Sequence, residues 1–163
     1  AEWLRRTSEA ELVTAFDEWG DVPHARQLAA AIAEQRKRQP IETAEELCTL
    51  VDRCSGGRAK GNIRSAAAPV FQAIRIAVNN ELNHLQEFLE QGLLRCVAPG
   101  VRAAIVSFHS IEDRLVKRAL CPDRGWEPIA KKPTEPTPAE ARVNPRSRSA
   151  RLRVAVRATG IAE

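Results

Sequence analysis

Residues 101–120 read "VRAAIVSFHSIEDRLVKRAL", and the fold turns on how this stretch is read. Val101–Phe108 is an apolar run interrupted early by Arg102. It is short enough for one strand and lacks helical spacing, so it reads as a strand buried on both faces. Ser110 and Asp113 then resemble an N-cap pair, and Leu115, Val116, Ala119 and Leu120 form the inner stripe of a following helix. The carboxyl end of a strand entering a helix is where open α/β sheets place ligands. Ser107, His109, Ser110, Glu112 and Asp113 are therefore candidates for an active site. A histidine can exchange protons near neutral pH, and the carboxylates can orient an amine or a ribose. The same residues have a plainer reading, in which Ser110 caps the helix and the carboxylates complement its positive end.

Upstream, "APG" at 98–100 is a turn. Before it, Phe71, Ile74, Val78, Leu82, Leu85 and Leu89 recur every three or four residues. This spacing predicts a long helix with Pro69 in its first turn, reaching Cys96. Downstream, "GWEPIAKKP" fits a short strand, and Thr137 with Pro138 opens a short helix. The segment "NPRSRSARLRVAVR", 144–157, ends in strict alternation, with Leu152, Val154 and Val156 on one face and Arg151, Arg153 and Arg157 on the other. Six arginines and no acidic residue lie between Arg142 and Arg157. Guanidinium groups match phosphate geometry, so Arg146, Arg148, Arg151 and Arg153 are candidate RNA contacts. A strand edge blunted by charge is the alternative.

The amino-terminal part is helical. Ser8 with Glu11, and Thr43 with Glu46, form capping boxes. A further helix runs from about His24 to Arg38, with Pro40 beyond it. "CSGGRAKGN", 54–62, reads as a basic loop whose glycines match no phosphate-binding pattern. Composition thus divides the chain into an all-helical domain, 1–68, and an α/β domain, 69–163. The 163 residues carry a net charge of +4 and no methionine. A start in mid-pattern at "AEWL" and a sheet of about three strands point to a piece of a longer polypeptide. None of the four cysteines has C-x-x-C spacing, so buried free thiols in a reducing compartment are expected, and no metal site. No apolar run approaches the roughly 18 residues of a membrane span.

Several segments together resemble one family. "AEWL", "PIETAEEL", "FQAIRIAVNNEL", "SFHSIEDRLVKR", "KKP" and "NPRSRSARLRVAVR" occur in the order seen in the small-subunit rRNA methyltransferase H family, also called MraW. The resemblance implies an S-adenosylmethionine-dependent enzyme that methylates the N4 amine of a cytidine in the decoding centre of bacterial 16S rRNA. It implies a Rossmann-like methyltransferase sheet interrupted by a helical insertion. Residues 1–68 would be most of that insertion, and 69–163 the C-terminal half of the sheet. The implied partners are 16S rRNA, the small ribosomal subunit and the missing N-terminal half of the same protein, in the cytoplasm. The family's Gly-rich loop, its acidic ribose-binding residue and its D-x-G-x-S segment have no counterpart here, so no cofactor-binding residue is expected in this segment. Ser65-Ala66-Ala67-Ala68-Pro69 stands where the family has a His-Pro-Ala-Thr-Arg-like run. A non-catalytic RNA-binding or ribosome-assembly module descended from the enzyme is the other reading.

Overall fold

The computed structural model describes residues 1–56 and 63–160, with side chains left out for 63–65. The basic loop expected at 54–62 therefore lies largely outside the described residues, as does the Ser65 side chain. The chain forms two compact units, Ala1–Glu81 and Leu82–Glu163.

The first unit is helical: α1 Glu2–Arg6, α2 Glu9–Thr14 continuing into a π-helical turn Ala15–Trp19, α3 Ala25–Arg38, α4 Ala44–Cys54 and α5 Ile63–Asn79. Both capping boxes form, Ser8 with Glu11 and Thr43 with Glu46. Each satisfies two otherwise orphaned backbone donors at a helix start. The core joins Leu12 and Phe16 of the second helix to Leu28 and Ile32 of α3, Leu47 and Val51 of α4, and Val70 and Ala73 of α5. Arg36 on α3 reaches back to the carbonyls of Leu4 and Thr7, which end α1. A positive side chain suits these carbonyls because they carry the negative end of the helix dipole.

Helix α5 corrects one expectation. It begins at Ile63, so Pro69 lies inside it and not in its first turn. It packs so closely on Gly20 that a Cβ there would sit 2.8 Å from the Pro69 carbonyl oxygen. That approach needs glycine and ties α5 to the helical core, so the compact units divide later than the composition change at 68/69. The single long helix expected from Pro69 to Cys96 is also interrupted. Asn80 is left-handed, with φ of 53°, a conformation that ends a helix and that Asn tolerates better than most residues. The remainder is α6 Glu81–Glu87, a π-helical turn Phe88–Gly92 and α7 Leu93–Cys96.

The second unit carries β1 Arg102–Ser107, α8 Ser110–Ala119, β2 Trp126–Pro128, α9 Pro138–Val143, a 3-10 turn Pro145–Ser149 and β3 Arg151–Arg157. Among the described residues the strands form one sheet in the order β1-β3-β2. The last strand lies between the other two and is antiparallel to both, pairing Ala103 with Ala155 and Trp126 with Arg157. β1 and β2 consequently point the same way. This mixed α/β arrangement is consistent with the C-terminal portion of a Rossmann-like sheet that the family resemblance implies.

One face of the sheet is covered. Ala103, Ala155 and Trp126 pack with Val116 and Ala119 of α8, with Leu120 that follows it, and with Leu89 and Leu93. Trp126 is fully buried at 1% exposure, and burying a side chain of that size contributes roughly 2–3 kcal/mol. The other face is open: Val106 is 51% exposed and Ile129 55%. The expectation that β1 is buried on both faces is thus corrected. A continuous apolar run does not require two covering layers; here its alternate residues meet a helix on one side only. The thiols are also less buried than expected. Cys48, Cys54 and Cys121 are half-buried and Cys96 is exposed; Cys48 and Cys54 pack against the helical core from its margin.

Candidate functional site

The turn from β1 into α8 is built by reciprocal capping, one residue earlier than expected. His109, not Ser110, is the N-cap. Its backbone is extended, and its Nδ1 accepts from the Glu112 amide at 3.4 Å. The Glu112 carboxylate accepts from the Phe108 amide at 2.9 Å. An imidazole nitrogen thus does the work usually done by a hydroxyl or carboxylate oxygen. Ser110 becomes the first helical residue and points to solvent. His109 Nε2 lies 3.1 Å from Glu112 Oε1. The contact is close but poorly aligned, leaving this buried nitrogen without a well-formed hydrogen bond. The adjacent His109 imidazole holds the Glu112 carboxyl below the ordinary carboxylate range, against the opposing effect of burial.

Asp113 faces the sheet. Its carboxylate takes a two-pronged hydrogen bond from Arg153, Nε to Oδ1 at 2.6 Å and Nη2 to Oδ2 at 3.0 Å. Arg151 Nη1 adds a weaker approach at 3.6 Å. The two side chains of the main pair are 11% and 12% exposed. This guanidinium holds the Asp113 carboxyl below its usual range, with burial opposing. Asp113 is therefore an anion that anchors α8 to β3, and a poor proton donor near neutral pH. Ser107 is buried on the same covered face, where its hydroxyl donates to the Arg151 carbonyl at 3.4 Å.

The four arginines singled out from sequence part company. Arg146 and Arg148 stand exposed on the 3-10 turn, while Ser147 between them is buried and donates to the Asn144 carbonyl at 2.8 Å. Arg151 is half-exposed, shared between Asp113 and Glu135. Arg153 is engaged with Asp113. Arg157, outside the candidate set, donates to the Leu94 and Val97 carbonyls that end α7.

A cavity of about 380 Å³ opens where the two motifs meet. It is lined by Phe108, His109 and Ser110 from the β1–α8 turn, and by Arg148, Ser149 and Arg151 from the turn into β3, with Glu135 at its side. Two guanidinium groups, two hydroxyls and an aromatic ring thus converge from segments far apart in the chain. Of the residues proposed from sequence, His109, Ser110, Arg148 and Arg151 line the cavity; Ser107, Glu112, Asp113, Arg146 and Arg153 do not. Phe108, Ser149 and Glu135 were missed. Phe108 had a local signal, since it closes the apolar run on the side opposite Ser107. Glu135 had none, lying in a Pro-rich segment that only the sheet brings near Arg151.

The chain matches the model of the MraW methylase family over residues 1–158. It belongs to that family. It is 44% identical over 156 residues to ribosomal RNA small subunit methyltransferase H of Rhodopirellula baltica, an alignment covering 95% of this chain and 47% of that protein. The corresponding protein of Deinococcus radiodurans is 41% identical over 160 residues, covering 97% and 50%. That of Methylococcus capsulatus is 38% identical, covering 95% and 56%. The chain spans about half the length of the curated relatives it matches.

A MraW methylase implies S-adenosylmethionine as methyl donor. Such a cofactor needs a cradle of free backbone amides and an acidic ribose partner at a strand-to-helix turn. At the β1–α8 turn, the Phe108 and Glu112 amides are already bound internally, and the two nearest carboxylates are committed to His109 and Arg153. The described residues at this turn do not fit the cofactor. Among the described residues no three His, Cys, Asp or Glu side chains gather as a metal ion would require, and no helix is long and apolar enough to cross a membrane.

Proposed function

We propose that this chain is the RNA-facing portion of a cytoplasmic S-adenosylmethionine-dependent methyltransferase that acts on the N4 amine of a cytidine in the decoding centre of 16S rRNA. The observation that carries the reading is the shared cavity: within a MraW family chain, "SFHSIEDR" and "NPRSRSAR" meet around exposed arginine and hydroxyl groups. Methyl transfer to an amine needs no protein nucleophile; positioning of the two reactants supplies much of the rate. On this reading residues 1–68 are most of the helical insertion, and 69–163 complete the catalytic sheet.

In this proposal the cofactor is held by the part of the relatives' length that this chain does not span. The open edge of β1 and the uncovered sheet face around Val106 and Ile129 offer that part a place to pair and pack. Arg146 and Arg148 contact RNA phosphate, Arg151 does so on release from Glu135, and Arg153 contributes by holding β3 to α8.

The test is methyl transfer from labelled cofactor to small ribosomal subunits, scored as N4-methylcytidine by mass spectrometry. The gene product at its natural length is expected to label 16S rRNA, and the 163-residue chain alone is expected not to. Absence of N4-methylcytidine with the natural-length protein would refute the assignment; full activity of the short chain would refute the division of labour.

A further inference from the structure

We propose that the cavity at the end of β1 is a subsite for one unpaired nucleotide of the RNA, with its base stacked on Phe108 and an adjoining phosphate held by Arg148 and Arg151. This rests on the reading above that the substrate is RNA, and it specifies which atoms meet it.

Phe108 is 54% exposed although it closes the core strand. Exposed aromatic rings on a single-stranded path commonly carry bases, because every base presents a π-face. Among the described residues, Phe71 and Phe88 are also exposed, but neither lines a cavity with two guanidinium groups. The volume, about 380 Å³, lies at the small end of ligand pockets and suits one nucleotide and not a duplex. Arginine supplies the full positive charges at this cavity. The Glu112 amide at the helix start is taken by His109, and the Phe108 amide by Glu112. Arg148 is free to reach a phosphate. Arg151 lies 3.6 Å from Asp113, whose main partner is Arg153, and 3.7 Å from the exposed Glu135 carboxylate; the Glu135 approach is a weak surface pair that an incoming phosphate can replace. Ser110 and Ser149 supply hydroxyls at the same rim. The stacking ring and the phosphate ligands therefore come from different segments, and a bound nucleotide would bridge them.

The experiment measures binding of a fluorescein-labelled, unstructured single-stranded RNA by the natural-length protein over a range of salt. Phe108→Ala is expected to weaken binding about tenfold, with the salt dependence unchanged, because stacking releases no counterions. Phe108→Trp should bind like the parent. Arg148→Ala should weaken binding and lower the salt slope by about one. A strand carrying an abasic site at the responsive position should bind the parent and Phe108→Ala equally. Phe108→Ala within twofold of the parent would overturn the subsite. So would a melting temperature of Phe108→Ala several degrees below that of the parent, since it would make Phe108 a packing residue. If the stacking signature appears but no methylation does, the subsite stands and the proposed function falls; methylation with no Phe108 effect is the reverse.

Discussion

The turn Pro145–Ser149 and the strand Arg151–Arg157 are both dense in arginine, yet the two use it differently. On the turn, Arg146 and Arg148 are exposed and only the intervening serine is committed. On the strand, the arginines share the covered face with Ala155: Arg153 pairs with Asp113 and Arg157 ends α7, while Leu152, Val154 and Val156 lie toward the open face. The usual order, apolar inward and charged outward, is inverted in β3. It is tolerated because each inward guanidinium meets acceptors: a carboxylate for Arg153, two helix-end carbonyls for Arg157. A guanidinium left in that position unpaired would carry a large desolvation cost. Arginine density therefore does not locate an RNA surface; the partners already present decide which cations are available.

Substitutions can break this contrast. The largest effect is expected at Asp113→Ala, which leaves the largely buried Arg153 guanidinium without its carboxylate and only the Lys131 carbonyl at 3.4 Å, and should cost about 3 kcal/mol in urea unfolding. A loss below about 1 kcal/mol would show that the pair is dispensable. Its pH signature has a definite sign. The Asp113 carboxyl is lowered in the folded state, so its contribution is fully present above the ordinary carboxylate pKa. It is lost as pH falls through the lower folded value. Asp113→Asn should flatten this acid limb of the melting curve, and an unchanged limb would assign acid sensitivity elsewhere. Arg157→Ala should cost less, about 1–3 kcal/mol, because two carbonyls lose a charged donor. Hydrogen exchange at α7 should rise with it. The smallest effect on stability belongs to Arg148→Ala, within about 0.5 kcal/mol. A large unfolding shift there would erase the distinction between turn and strand.

Much of the local structure was legible. Both capping boxes, the short helix opened by Thr137 and Pro138, and the alternating last strand all follow from local chemistry that acts over a few residues. The errors had different causes, one of them local. Pro69 suggested a helix start, but α5 extends back to Ile63 and packs on Gly20. The run Val101–Phe108 suggested two covered faces, but only one has a helix against it. Ser110 suggested a cap, and the imidazole of His109 took that place. For the site, the two motifs were visible as separate candidates. Their meeting was not, and neither was the part played by Glu135.

The sequence by itself determined the family, the helical and α/β zones, and the two motifs that meet at the cavity. Those follow from spacing and side-chain chemistry, which are properties of short segments. Only the tertiary structure decided which of the charged residues remain available. Placing β3 between β1 and β2 brings Arg153 onto Asp113 and Arg157 onto the end of α7, and leaves Arg148 beside Phe108. The difference between an anchoring arginine and a ligand-binding one is a matter of which acceptor lies within about 3 Å, and chain topology alone sets that distance.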